Sequence, residues 1–202
     1  AIAMLAFTEE LHLLLTSSYP FVHLVTYEET RALGIVRQLV ATLGRTSTVW
    51  RPEDHPDAEH SLDKLLRERI AAPDDSVTVL LDAHPYLHAP RIGRLLRVVE
   101  RRMTSDGGAI VLISPHRIAM PELGTDWTTL EVPLPDRTEL LALLDVCVPA
   151  DDDPGVDRDR LAVAALGLTG HAARRAFERT LQAGRLAIAK GRTYDWEAAV
   201  VE

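Results

Sequence analysis

The stretch Tyr19–Leu33, YPFVHLVTYEETRAL, decides how the chain is read. Pro20 opens a run, Phe21-Val22-His23-Leu24-Val25-Thr26, with the apolar, β-rich character of a buried strand. Tyr27-Glu28-Glu29-Thr30 is then a short connection. Beyond it Leu33, Val36, Leu39 and Leu43 recur at helical spacing, with Arg31, Arg37 and Gln38 on other faces. The unit is a strand feeding a helix through a tight loop. In open α/β sheets that loop, at the carboxyl end of a strand, is the usual ligand position. A phosphate there needs glycines, whose backbone N–H groups can approach it, and usually a lysine as counter-charge. This loop has no glycine and no lysine, and its two glutamates repel an anion.

Outward from this unit, strands and helices alternate. The first strand spans 21–26, and further strands are expected at 47–50, 77–82, 109–113 and 128–132. Thr8 reads as the cap of a first helix, with Glu9 and Glu10 in its positive first turn. Leu62, Leu65, Leu66 and Ile70 mark a helix that stops before Pro73. Ala83 to Ala89 reads as a loop. Pro90 then suits a first helical position, ahead of Ile92, Leu95, Leu96 and Val99. This alternation implies an α/β fold with a parallel sheet covered on both faces. Pro133-Leu134-Pro135 breaks the rhythm, and the chain beyond it reads as helical only. Asp136 and Glu139 form a capping-box start, Asp151 to Gly155 reads as a linker, and Leu161–Leu166 and Ala172–Ala189 are helices. The expected division is an α/β core over 1–134 and a small helical segment over 135–202. The chain stops at Glu202 inside a helical pattern, which reads as a fragment of something longer.

Composition narrows the classes. The chain has 202 residues, 47% hydrophobic and 26% charged, as in an ordinary globular protein. Its formal charge of −8 argues against a nucleic-acid binder. Cys147 is the only cysteine, so there is no internal disulfide and no cysteine zinc cluster, and a cytoplasmic compartment is the simple expectation. No apolar stretch approaches the roughly 20 residues of a membrane span, so no membrane partner is expected.

Five strands in this order, followed by a small helical appendix, resemble an AAA+ ATPase module. VTVLLDAH, Val77–His84, looks like the Walker B strand, whose usual ending is two acids. AIVLISPHR, Ala109–Arg117, looks like the sensor-1 strand. LEVPLPDRTELLALL, Leu130–Leu144, is similar to the segment joining core to lid, and GLTGHAARRAFERTL, Gly167–Leu181, resembles the lid helix that carries sensor 2. More narrowly, the chain resembles the degenerate N-terminal AAA-like domain of the tandem AAA ATPases of the hypothetical-chloroplast-reading-frame type, found in plastids and bacteria. The resemblance implies a five-stranded parallel sheet in the order 5-1-4-3-2 with a C-terminal helical lid. It also implies a non-hydrolysing domain that supports assembly or regulation of an adjacent AAA ATPase module. The partners would be that module or subunits of the same protein. No cofactor is expected for this domain; ATP–Mg²⁺ would belong to the adjacent module.

The remnants of a nucleotide site under this resemblance are Thr26, Glu28, Thr30, Asp82, Ser114 and Arg174. Thr26 to Thr30 replaces the Walker A loop. Ala83 stands where a second acid would polarise the attacking water, Ser114 takes the sensor-1 position, and Gly124 to Trp127 offers no arginine finger. Phosphoryl transfer rests on positioning and electrostatic stabilisation, so losing lysine, acid and finger together removes nearly every part. Two enzyme readings stand beside this one. A weak phosphohydrolase would use Asp82 with Arg174. A metal-dependent hydrolase would use Asp82, His84 and His116, although their spacing matches no standard zinc pattern. Arg91, Arg94, Arg97 and Arg101 form a basic stripe on the helix after the third strand, either a solvated face paired with acids or a subunit contact.

Overall fold

The computed structural model describes residues 2–148 and 155–201. It divides into two compact units. One is Leu5–Val132; the other is Pro133–Glu202 together with Ala1–Met4. In the first unit the order is α1 (Ile2–Thr16), β1 (Phe21–Val25), α2 (Glu29–Thr42), β2 (Ser47–Trp50), α3 (Ala58–Ala71), β3 (Val77–Leu81), α4 (His84–Leu87), α5 (Pro90–Asp106), β4 (Ala109–Ser114) and β5 (Trp127–Glu131). Short 3₁₀ turns at Pro52–Asp54 and Pro121–Asp126 complete it. The five strands form one sheet, ordered β2-β3-β4-β1-β5 and parallel throughout. This is the order 5-1-4-3-2 read from the other edge, so the expected α/β architecture holds.

Register sorts the side chains. Phe21, Ile110 and Trp127 align across neighbouring strands, as do Trp50, Leu80 and Leu112. Aligned positions in a parallel sheet share a face. That face packs on Leu62 and Leu66 of α3 and Ile92, Leu96 and Val99 of α5 in one apolar cluster. Each such fully buried side chain contributes roughly 1.5–3 kcal/mol. α2 packs on the other face, with Ala32 and Val36 fully buried. β1 has a strand on each side, and Phe21 to Leu24 are wholly inaccessible. β5 is an edge and only half-buried.

The boundaries shift from the sequence reading where single residues intervene. β3 ends at Leu81 because Asp82 takes a left-handed conformation, φ 46°. β1 ends at Val25, one residue short, and β4 extends to Ser114, one residue long. Thr8 lies inside α1, which already runs from Ile2, so it does not start the helix. The expected loop 83–89 contains α4.

The amino edge of the sheet is tied by Arg45, which comes just after α2. Its Nε donates to the Asp75 carbonyl at 2.5 Å and its Nη1 to the Leu15 carbonyl at 2.7 Å, and Nη2 reaches the Gly107 carbonyl. One guanidinium thus joins the end of α1, the turn before β3 and the turn before β4. Arg69, from α3, adds bonds to Asp74 and Ser76 in the same region. These contacts hold the Asp74 carboxyl down at about 2, through Ser76 first and Arg69 second.

The second unit holds α6 (Arg137–Cys147), α7 (Arg158–Ala164), α8 (Gly170–Ala189) and α9 (Trp196–Val201). The capping box of Asp136 and Glu139 forms as the sequence indicates. Asp157 and Thr169 cap α7 and α8. Leu140, Leu144, Leu161, Phe177 and Leu181 make its apolar core. The linker expected at 151–155 lies outside the described residues except for Gly155. In α8, a Cβ on Gly184 would lie 2.2 Å from the Trp196 ring. Gly184→Ala therefore sets two effects against each other: up to about 1 kcal/mol of helix propensity gained and displacement of Trp196. Overpacking wins, and we expect a net loss of about 1–3 kcal/mol. Thermal unfolding together with the Trp196 indole resonance checks this, and a stabilised variant would refute the packing.

Candidate functional site

Three of the residues singled out in the first unit, Thr26, Asp82 and Ser114, converge on the carboxyl edge of the sheet. β1 stops at Val25, but its ladder continues: the Thr26 N–H donates to the Ser114 carbonyl at 3.0 Å. The Thr26 hydroxyl accepts the Glu28 N–H at 2.9 Å, closing a tight turn that leads straight into α2. Glu28 receives a hydrogen bond from Arg31 at 3.4 Å. Thr30 is exposed in the first turn of α2. Beside the turn lies a cleft of about 230 Å³, lined by Thr26, Tyr27, Glu29, Asp82, Ser114 and their neighbours Ile113 and Pro115. Thr26, Asp82 and Ser114 are therefore brought together, while Glu28 and Thr30 do not line the cleft.

The glutamate that lines it is Glu29. Burial, and then the nearby Asp82 charge, push its carboxyl above the usual range, with Arg51 opposing. No lysine or arginine is among the lining residues. Sequence spacing gave no means of choosing between Glu28 and Glu29. The helical phase of α2 decides it.

A second group was missed altogether. His23 is fully buried in the middle of β1. Ser114 Oγ lies 3.0 Å from the His116 carbonyl, a contact satisfied only by its own hydroxyl proton. Oγ must then accept from His23 Nε2–H, at 2.8 Å. Nδ1 keeps its lone pair and faces the Thr129 hydroxyl at 3.5 Å. The ring packs against Trp127, centroids 5.3 Å apart. The Ser114 contact fixes the proton on Nε2, and the buried site favours the neutral ring. Burial, aided by Arg117 and His84, lowers its pKa to about 4.

The remaining candidates are dispersed. His84 Nδ1 sits 3.8 Å from Asp82 Oδ1. His116 stacks edge-on with Tyr27, centroids 5.9 Å apart. Among the described residues no group of three or more His, Cys, Asp or Glu is placed to hold a metal ion. Ala83 is fully buried in the cluster against α3 and α5. Arg174, in the second unit, pairs with Glu178 at 2.9 Å. In α5 all four arginines of the stripe are exposed, and Arg91 is also paired with Asp63 of α3, at 2.6 Å. Arg94, Arg97 and Arg101 share a cleft of about 230 Å³ with Glu100, Glu122 and Asp126.

His23 fixes a pH dependence. Its ordinary pKa of 6.5 holds in the unfolded chain and about 4 in the folded one. The neutral form is favoured by folding, so this stability is complete above 6.5 and is lost as pH falls towards 4. We expect wild type to lose about 2 kcal/mol more than His23→Gln between about pH 7 and pH 4.5. Parallel denaturant titrations of the two proteins measure it, and coincident pH profiles would refute the neutral relay.

Residues 7–132 match the model of a family described as the SpoVK-like AAA ATPase, N-terminal domain. A curated relative is the uncharacterized AAA domain-containing protein ycf46 of Guillardia theta, 23% identical over 147 residues, covering 67% of this chain and 29% of that protein. The chain thus spans less than a third of that relative's length. No helix among the described residues is long and apolar enough to cross a membrane. The family match covers more than half of the chain, from within α1 to the end of the sheet unit, and on that basis the chain belongs to the SpoVK-like AAA ATPase N-terminal domain family.

Proposed function

We propose that this domain neither binds nor hydrolyses ATP, and instead supports the assembly or regulation of an adjacent AAA ATPase module. The observation that carries the reading is the connection from β1 to α2. Thr26 to Glu28 close a hydrogen-bonded turn instead of a glycine loop, and the cleft beside it presents Glu29 and Asp82. A phosphate charge brought within about 4 Å of either carboxylate meets a repulsion on the order of 1–4 kcal/mol. The missing lysine leaves nothing in the cleft lining to offset it.

On this reading the motif residues are remnants with local duties. Ser114 completes the His23 relay, and Arg174 pairs with Glu178. Asp82 is the surviving acid of the third strand. The exposed Arg94, Arg97 and Arg101 are a candidate contact with a neighbouring module, while Arg91 serves the α3–α5 junction through Asp63. Any nucleotide–Mg²⁺ chemistry would belong to the adjacent module.

Calorimetry of the chain with ATP–Mg²⁺ tests the proposal. We expect no binding heat and no phosphate release above background, and micromolar affinity would overturn it. Ala83→Glu, which restores the second acid in sequence, is expected to give no turnover. It also places a carboxylate in the apolar cluster against α3 and α5, at a cost on the order of 3 kcal/mol. Asp82→Asn is expected to lower the Glu29 pKa by removing a like charge, with no effect on nucleotide turnover. Carboxyl resonances followed through a pH titration report the first effect.

A further inference from the structure

We propose that the open edge of β2, with the groove between β2 and α3, takes up an extended peptide segment as a sixth strand. β2 ends the sheet. The Val77 N–H donates to the Thr46 carbonyl, which sets the ladder phase: Thr46, Thr48 and Trp50 face β3. The N–H and C=O groups of Ser47 and Val49 therefore point away from the sheet, and neither residue forms another backbone hydrogen bond among the described residues. β2 is uncharged and free of proline, so it lacks two common guards of an exposed edge.

A groove of about 280 Å³ runs beside this edge, lined by Thr48, Val49 and Trp50 and by Ser61, Lys64 and Leu65 of α3. Thr78 of β3 also lines it. That threonine is 1% exposed, and its hydroxyl has no hydrogen-bond partner. A buried hydroxyl left unsatisfied among the described residues is costly, and this one belongs to a residue of the groove lining, where a ligand group can complete it. The groove is walled by Trp50, whose indole N–H is fixed on Ser61 Oγ at 3.1 Å and whose ring stacks on His55. Outward main-chain groups and an adjacent side-chain pocket are the two parts of strand addition: the first gives affinity, the second specificity. The polar depth of the pocket selects a hydrogen-bonding side chain.

The probe is a display library of short linear peptides, its best binders synthesised and titrated against isotope-labelled chain. We expect amide shifts centred on Ser47, Val49 and Thr78. Val49→Pro removes only an outward N–H, a change edge strands tolerate, and is expected to weaken binding about tenfold. Ser47→Pro makes the equivalent change if that variant does not fold. Thr78→Val is expected to weaken binding about threefold while raising the Tm of the free chain, because a methyl replaces an unpartnered hydroxyl. A purely structural threonine would not move both in that way. The proposal is overturned by the absence of binders, by shifts centred elsewhere, by affinity that survives these substitutions, or by a lowered Tm in Thr78→Val. It is also overturned if the edge instead drives self-association that Val49→Pro abolishes, or if free amino acids bind the groove equally with and without Val49→Pro.

Discussion

The burial of β1 between two strands is the constraint on which the sheet unit depends. A strand with neighbours on both sides has no slack in its backbone hydrogen bonds. Here the pairing runs past the strand itself, through Thr26 to Ser114 on one side and from Val132 back to Val25 on the other. The tip of β1 is held from both sides just where a phosphate loop would have to open. The same burial makes His23 a liability unless both ring nitrogens are answered. Ser114 and Thr129 answer them from the two flanking strands. The polar relay therefore ties β4 and β5 to β1 and fixes which ring nitrogen carries the proton, while burial keeps the ring neutral.

The two edges of the sheet carry opposite chemistry. At the amino edge, Arg45 and Arg69 supply guanidinium donors to carbonyls of the loops, a use that suits the planar fork of arginine. That edge is locked. In the cleft at the carboxyl edge the lining charges are carboxylates, and Asp82 adopts a left-handed backbone conformation that costs a non-glycine residue free energy. The cleft at this edge is lined by two carboxylates, Glu29 and Asp82, and by no lysine or arginine.

Legibility followed the range of the interactions. The strands, most helices, the proline break after β5 and the capping box of α6 are local patterns, set by side-chain period and by the backbone preferences of a few residues, and they stood in the sequence. The order of the strands came from resemblance rather than from periodicity, and the register bears it out. Thr26, Asp82 and Ser114 line one cleft because each stands at or just past the end of a strand, and parallel strands bring their carboxyl ends to one edge.

What only the tertiary structure decided depends on which way a side chain points and what lies opposite it. Helical phase turns Glu29, not Glu28, to the cleft. Packing against α3 and α5 buries Ala83, so that the position is part of the core. Asp63, remote in sequence, takes Arg91 out of the free arginine stripe. His23 reads as one polar residue in an apolar run until Ser114 and Thr129 meet it across two ladders. A sequence records the periods that create faces; only the folded chain sets which faces meet, because that meeting is fixed by contacts between residues far apart along it.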